Sequence, residues 1–93
     1  MELAAAHTMK GLAFVCTSLS HPEQYDVYTG TGQKVGYLRL RHGKLTVTYL
    51  PTGKLVYRHL YTDKGRGAFQ SPEDRTYHLW YAAVALRGAM RGA

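Results

Sequence analysis

Tyr37, Arg39, Arg41, Lys44, Thr46, Thr48 and Arg58 all fall within one stretch, Gln33 to Tyr61, which reads QKVGYLRLRHGKLTVTYLPTGKLVYRHLY. Within each run they are spaced two apart, and on an extended chain residues two apart point to the same side. The chemistry they offer is recognition. Arginine presents a rigid fork of donors that matches phosphate or carboxylate, and tyrosine adds a flat ring for stacking and a hydroxyl for hydrogen bonding. Such a surface suits single-stranded nucleic acid. The same residue types dominate protein–protein hot spots, and they also make good solvated strands. Nucleic acid, a protein partner and a plain outer face are therefore three readings of one set. Lys64 and Arg66, in Asp63-Lys64-Gly65-Arg66-Gly67, add two cations on a glycine-rich segment that contains a single RGG-like element.

No catalytic set emerges beside it. Gly30-Thr31-Gly32 with Gly36 resembles a phosphate-cradling loop, but that chemistry needs a helix N-terminus next, and here an alternating, strand-like run follows. The five histidines (7, 21, 42, 59 and 78) lack metal-ligand spacing, and the one cysteine, Cys16, offers no thiolate pair. His59 reads as a core histidine. His78 follows Asp74 by one helical turn, so a hydrogen bond on the helix surface explains that pair. The expectation is a non-enzymatic protein with no cofactor and no metal.

The turns must position the recognition residues. His42-Gly43 is a two-residue hairpin signal between alternating runs. It pairs Arg41 with Lys44, Leu40 with Leu45, Arg39 with Thr46, Leu38 with Val47 and Tyr37 with Thr48, which leaves one face apolar and the other polar. A slip of one residue would set leucine against arginine. Pro51-Thr52-Gly53 reads as a type I turn with a glycine bulge. It pairs Leu50 with Lys54, Tyr49 with Leu55, Val47 with Tyr57, Thr46 with Arg58 and Leu45 with His59. Leu55, Tyr57 and His59 then join the core face, while Val56 and Arg58 join the other. Upstream, Tyr25 to Thr29 extends the sheet with Tyr25 and Val27 inward, and Leu12 to Thr17 is the first strand.

Ser71-Pro72-Glu73-Asp74 starts a helix: Ser caps, Pro suits the first position, and acids meet the positive end of the dipole. It should run to about Gly88. Tyr77, Trp80, Tyr81 and Val84 form one stripe, and Leu79, Ala83, Leu86 and Met90 form another. The bulkier aromatic stripe is expected against the sheet. The aliphatic stripe is then surplus: either it packs on the first strand and the N-terminal arm, or it serves a homodimer or partner.

The whole is an α+β domain, an antiparallel meander of about five strands with one C-terminal helix, spanning 11–93 behind a flexible arm over 1–10. Its 93 residues suit one core, and 45% hydrophobic content is ordinary for a folded chain. Twelve Lys and Arg against six Asp and Glu give a formal charge of +6, which favours nucleic acid, an acidic protein or an anionic surface as partner. With Met1-Glu2 followed by a short apolar stretch, and no window near the length of a membrane span, the expectation is a cytoplasmic protein.

Pro22-Glu23-Gln24-Tyr25-Asp26-Val27-Tyr28, followed by Val35-Gly36-Tyr37-Leu38-Arg39-Leu40-Arg41-His42-Gly43, resembles small uncharacterised proteins of phages and prophages. Those relatives often carry a cysteine before the Pro-Glu-Gln block and an acidic segment before the helix, where this chain has His21 and Lys64-Gly65-Arg66. The resemblance implies an accessory protein acting in the cytoplasm of an infected bacterium, the setting of host-defence inhibitors such as anti-CRISPR proteins. The expected function is stoichiometric: Tyr37, Arg39, Arg41, Lys44 and Arg58, with Lys64 and Arg66, dock on a host protein that handles nucleic acid. The alternatives are direct binding of single- or double-stranded nucleic acid, and a homodimer that sequesters an anionic nucleotide.

Overall fold

The computed structural model describes residues 6–92 and shows six antiparallel strands followed by one helix. The strands are β1 (Ala6–Met9), β2 (Leu12–Leu19), β3 (Glu23–Tyr28), β4 (Lys34–Arg41), β5 (Lys44–Tyr49) and β6 (Lys54–Leu60), and the helix is α1 (Pro72–Gly92). They lie in one sheet in chain order, β1-β2-β3-β4-β5-β6. The α+β meander with a C-terminal helix is as the alternation implies, with one strand more.

The additional strand is β1. Ala6–Met9 pairs with β2 from Ala6↔Val15 to Met9↔Leu12, inside the segment read from sequence as an arm. Residues 1–5 of that segment lie outside the described residues. The link is Lys10-Gly11, with φ of +50° and +78°, and His42-Gly43 repeats it at +54° and +74°. Two positive φ values in a two-residue loop match the right-handed twist of the flanking strands, and glycine takes the second at no steric cost.

The inner strands bury alternate residues. Leu12, Phe14, Tyr25, Val27, Leu38, Leu40, Leu45 and Val47 are at most 1% exposed and all face the helix. At roughly 1.5–3 kcal/mol for each large apolar side chain, this layer is the main driving force for folding. The helix answers with Leu79, Ala82, Ala83 and Leu86, all at 0% exposure, while Met90 packs partly buried at the margin. That reverses the expected orientation: Leu79, Ala83 and Leu86 are core and cannot serve a partner, and Met90 packs half-buried against them. Tyr77, Trp80 and Tyr81 are 56%, 44% and 41% exposed. The reason is volume. The sheet already supplies the bulk, so the helix approaches on its small residues, closely enough that a Cβ on Gly36 would sit 2.9 Å from Leu86 Cδ1.

The helix starts as expected. Ser71 Oγ accepts the Asp74 amide at 3.0 Å. It ends at Gly92, later than Gly88, since a glycine at an exposed position weakens a helix without breaking one held by packing. Among the described residues no helix is long and apolar enough to cross a membrane. The segment 61–71 closes the end of the sheet, its Arg66 carbonyl accepting from the Gly43 amide at 2.8 Å and its Gly67 carbonyl from the Glu23 amide at 2.7 Å.

Candidate functional site

The helix covers one side of the sheet and leaves the other open. The open side carries the recognition residues in three transverse rows, fixed by register: Asp26, Tyr37, Thr48 and Leu55 make one, and the other two hold the cations. Of those two, one runs Gln24, Arg39, Thr46, Arg58; the next runs Arg41, Lys44, Leu60. The β4–β5 register is the one the His42-Gly43 turn dictates, pair for pair. With strands ~4.8 Å apart and side chains on one face repeating every ~6.8 Å, the four cations fall within about 10 Å of their nearest neighbours.

Their surroundings are short of acid. Among the described residues Glu23 is committed to Arg75, Asp26 to Lys34, Asp63 to Arg66 and Asp74 to His78. Asp26 is on the open face, and its 3.3 Å contact with Lys34 already occupies it. None of Arg39, Arg41, Lys44 and Arg58 has an ion-pair partner among the described residues. Arg39, Arg41, His42, Lys44 and Thr46 line a shallow depression of about 280 Å³. At ~7 Å spacing in water each cation pair repels by only about 0.6 kcal/mol, so the cluster is tolerable in solvent and ready for an anion that touches several members.

The remaining predicted residues divide. Tyr37 lies on the face, half-buried, with its hydroxyl donating to Gln24 Oε1 at 2.8 Å. Arg41 Nε–H donates to His42 Nε2 at 3.1 Å, which makes that nitrogen an acceptor. Lys64 is exposed, and its Cα would come within 2.9 Å of a Cβ on Gly43, at the tip of the same hairpin. Arg66 leaves the set: it contacts Asp63 at 3.6 Å, donates to the Ala68 carbonyl at 3.2 Å and lies over the Tyr61 ring. It ties its own loop together.

Two residues of the face escape the sequence reading. Leu55 and Leu60 are 52% and 56% exposed, and they flank Arg58 on the edge strand. Register explains them. Tyr49 pairs with Lys54, not Leu50, and Thr48 pairs with Leu55, with a bulge at Val56 before Val47↔Tyr57 resumes. The turn is one residue longer than the Pro-Thr-Gly reading gives, and the bulge absorbs the difference, so the pairs at Arg58 and His59 stand while Leu55 and Val56 exchange sides. The signal was the run Leu55-Val56-Tyr57, whose unbroken apolar character marks a place where alternation slips.

Behind the sheet lie two buried polar clusters. Glu23 is 0% exposed; it accepts from Arg75 Nε at 2.7 Å, the Phe69 amide at 3.0 Å and the Tyr25 hydroxyl. His78, at 3% exposure, is an interior residue and not a surface one. Its Nδ1 meets the Tyr57 hydroxyl at 2.8 Å and its Nε2 lies 3.4 Å from Asp74. His59 is half-buried, its ring 4.5 Å from that of His78. Burial lowers the His78 pKa, opposed by Asp74, and burial raises that of Tyr57. A neutral imidazole between a carboxylate and an un-ionised phenol, closed to solvent, holds β6 to the helix start. Cys16 is buried, with its pKa raised by burial, which withholds the thiolate a nucleophile needs. Among the described residues no three His, Cys, Asp or Glu side chains are placed to hold a metal. Comparison with family models, curated proteins and solved structures returns no match, so the open sheet face stands on its own geometry as the candidate site.

Proposed function

We propose that this protein is a non-catalytic binding protein that docks the open face of its sheet on an acidic surface of another protein. One observation carries the reading: four cations without an internal acid share a face with two exposed leucines. Cations alone would suit any polyanion. Leucines beside them favour a protein, because apolar contact has a counterpart in a protein interface and almost none along a phosphate backbone. In the setting that the phage-type resemblance implies, the partner is a host protein that handles nucleic acid, and the binding blocks it.

The test compares two double variants, Arg39→Glu/Arg41→Glu and Leu55→Asp/Leu60→Asp, in affinity capture from nuclease-treated bacterial lysate and in anisotropy with labelled oligonucleotides. The expected result is one stoichiometric protein partner, lost in both variants. Oligonucleotide binding should appear only at low salt, falling about a hundredfold between 50 and 200 mM for four phosphate contacts. Oligonucleotide binding that persists at 200 mM, fails in the arginine variant and survives in the leucine variant would replace this reading with direct nucleic-acid binding. Thermal stabilisation by a free nucleotide, lost with the arginines, would point instead to sequestration.

A further inference from the structure

The outward face of α1 is the second unpartnered surface, and its order of residue types names its occupant. Glu73, Tyr77, Trp80, Val84, Arg87 and Arg91 follow the alternating four and three spacing of a coiled-coil seam. The seam is acidic at its start, aromatic in the middle and basic at its end. Glu73 and Arg91 are exposed, and neither has an ion-pair partner among the described residues. The aromatic middle is preorganised: Tyr81 meets Tyr77 at 4.9 Å and Trp80 at 5.2 Å, stacks parallel to Tyr57 at 6.4 Å, and Lys10 lies over Trp80 at 5.6 Å.

We propose that this face pairs with the same face of a second copy, antiparallel about a two-fold axis passing near Trp80 and Val84. The charge order is self-complementary in that arrangement alone. Antiparallel pairing sets Glu73 of each copy against Arg91 of the other, about 27 Å apart along the helix at ~1.5 Å per residue, and it opposes the helix dipoles. Parallel pairing would set acid on acid and base on base. The middle brings together Tyr77, Trp80 and Tyr81, residue types that supply most of the energy at interfaces. Arg87 stays on the flank, its Nε–H donating to the Lys10 carbonyl at 3.0 Å. This surface lies on the far side of the molecule from the cationic sheet face, so the two readings stand or fall separately.

The test is sedimentation velocity from about 1 to 500 µM. The wild type should form a dimer, and Trp80→Glu, a change at an exposed site, should weaken self-association at least ~100-fold. Glu73→Arg and Arg91→Glu should each weaken it about five- to tenfold, as loss of two exposed pairs implies. An equimolar mixture of those two variants should regain the dimer, because every contact between them is then between opposite charges. Arg39→Glu/Arg41→Glu should dimerise like the wild type. A species of 10.4 kDa at every concentration overturns the proposal. So does a dimer indifferent to Trp80→Glu, or a mixture no tighter than its components.

Discussion

Arg75 and Arg39 sit on opposite sides of one sheet, and the difference between them is a matter of partners. Arg75 reaches back from the helix to a carboxylate buried at 0% exposure and shares it with a tyrosine hydroxyl and a backbone amide. Arg39 stands in a row of polar side chains and has no ion-pair partner among the described residues. Burying a carboxylate costs several kcal/mol before any pairing. Glu23 is therefore fully partnered within the chain, and its bonds belong to stability. A half-buried arginine still reached by solvent pays far less, so one without an ion-pair partner costs the fold little and remains available to something else. The sheet uses one chemistry twice, closed on one side and open on the other.

The contrast breaks most visibly at Arg75. Arg75→Ala leaves a charge stranded inside and should cost about 3–5 kcal/mol in urea unfolding. A loss below ~1 kcal/mol would mean that water reaches Glu23 in place of its partner, and the closed side would not be closed.

A smaller effect comes from pH, and it sharpens the same distinction. Burial depresses the His78 pKa from its ordinary 6.5, so the unfolded chain takes up a proton before the folded one does. Stability is full above about 6.5 and declines as pH falls below it, by at most ~1.4 kcal/mol per pH unit for one group. Tyr25, Tyr57 and Tyr61 are displaced upward from 10, chiefly by burial, so stability declines again as pH rises above about 10. Thermal melts across pH should give a plateau between these limits. His78→Gln should flatten the acid limb, and an unchanged limb would place the titration elsewhere.

The smallest effect belongs to the open side. Arg39→Glu/Arg41→Glu should shift unfolding by no more than ~0.5 kcal/mol while abolishing partner capture. A larger loss of stability would show that these arginines hold the sheet together.

Much of this contrast was legible in the residues. The β4–β5 ladder follows from His42-Gly43, because a one-residue slip would bury arginines, and so the cationic rows could be placed without coordinates. Two things could not. The helix orientation depended on how much volume the sheet already filled, which no single stripe reveals: Leu79, Ala83 and Leu86 look surplus only until Tyr25, Phe14 and Leu38 are counted against them. The Glu23–Arg75 bond joins residues 52 apart in sequence, and no local pattern announces it. Lys10-Gly11, by contrast, carried the same hairpin signal as His42-Gly43, and the short run before it concealed strand β1.

The strand order has a kinetic consequence. Every strand neighbours its predecessor, so the meander can assemble through short turns, each closing a few residues at low entropic cost. The Glu23–Arg75 bond is different: it joins residues 52 apart in sequence, and formed ahead of the sheet it would close a loop costing roughly 2 kcal/mol more than a turn. The sheet should therefore be largely formed when the chain crosses its folding barrier, with Glu23 and Arg75 meeting afterwards. Weakening that pair then speeds unfolding and leaves the folding rate almost unchanged. The lifetime of the folded chain should then follow how long the helix stays tied to β3 and β6, more than how quickly the sheet forms.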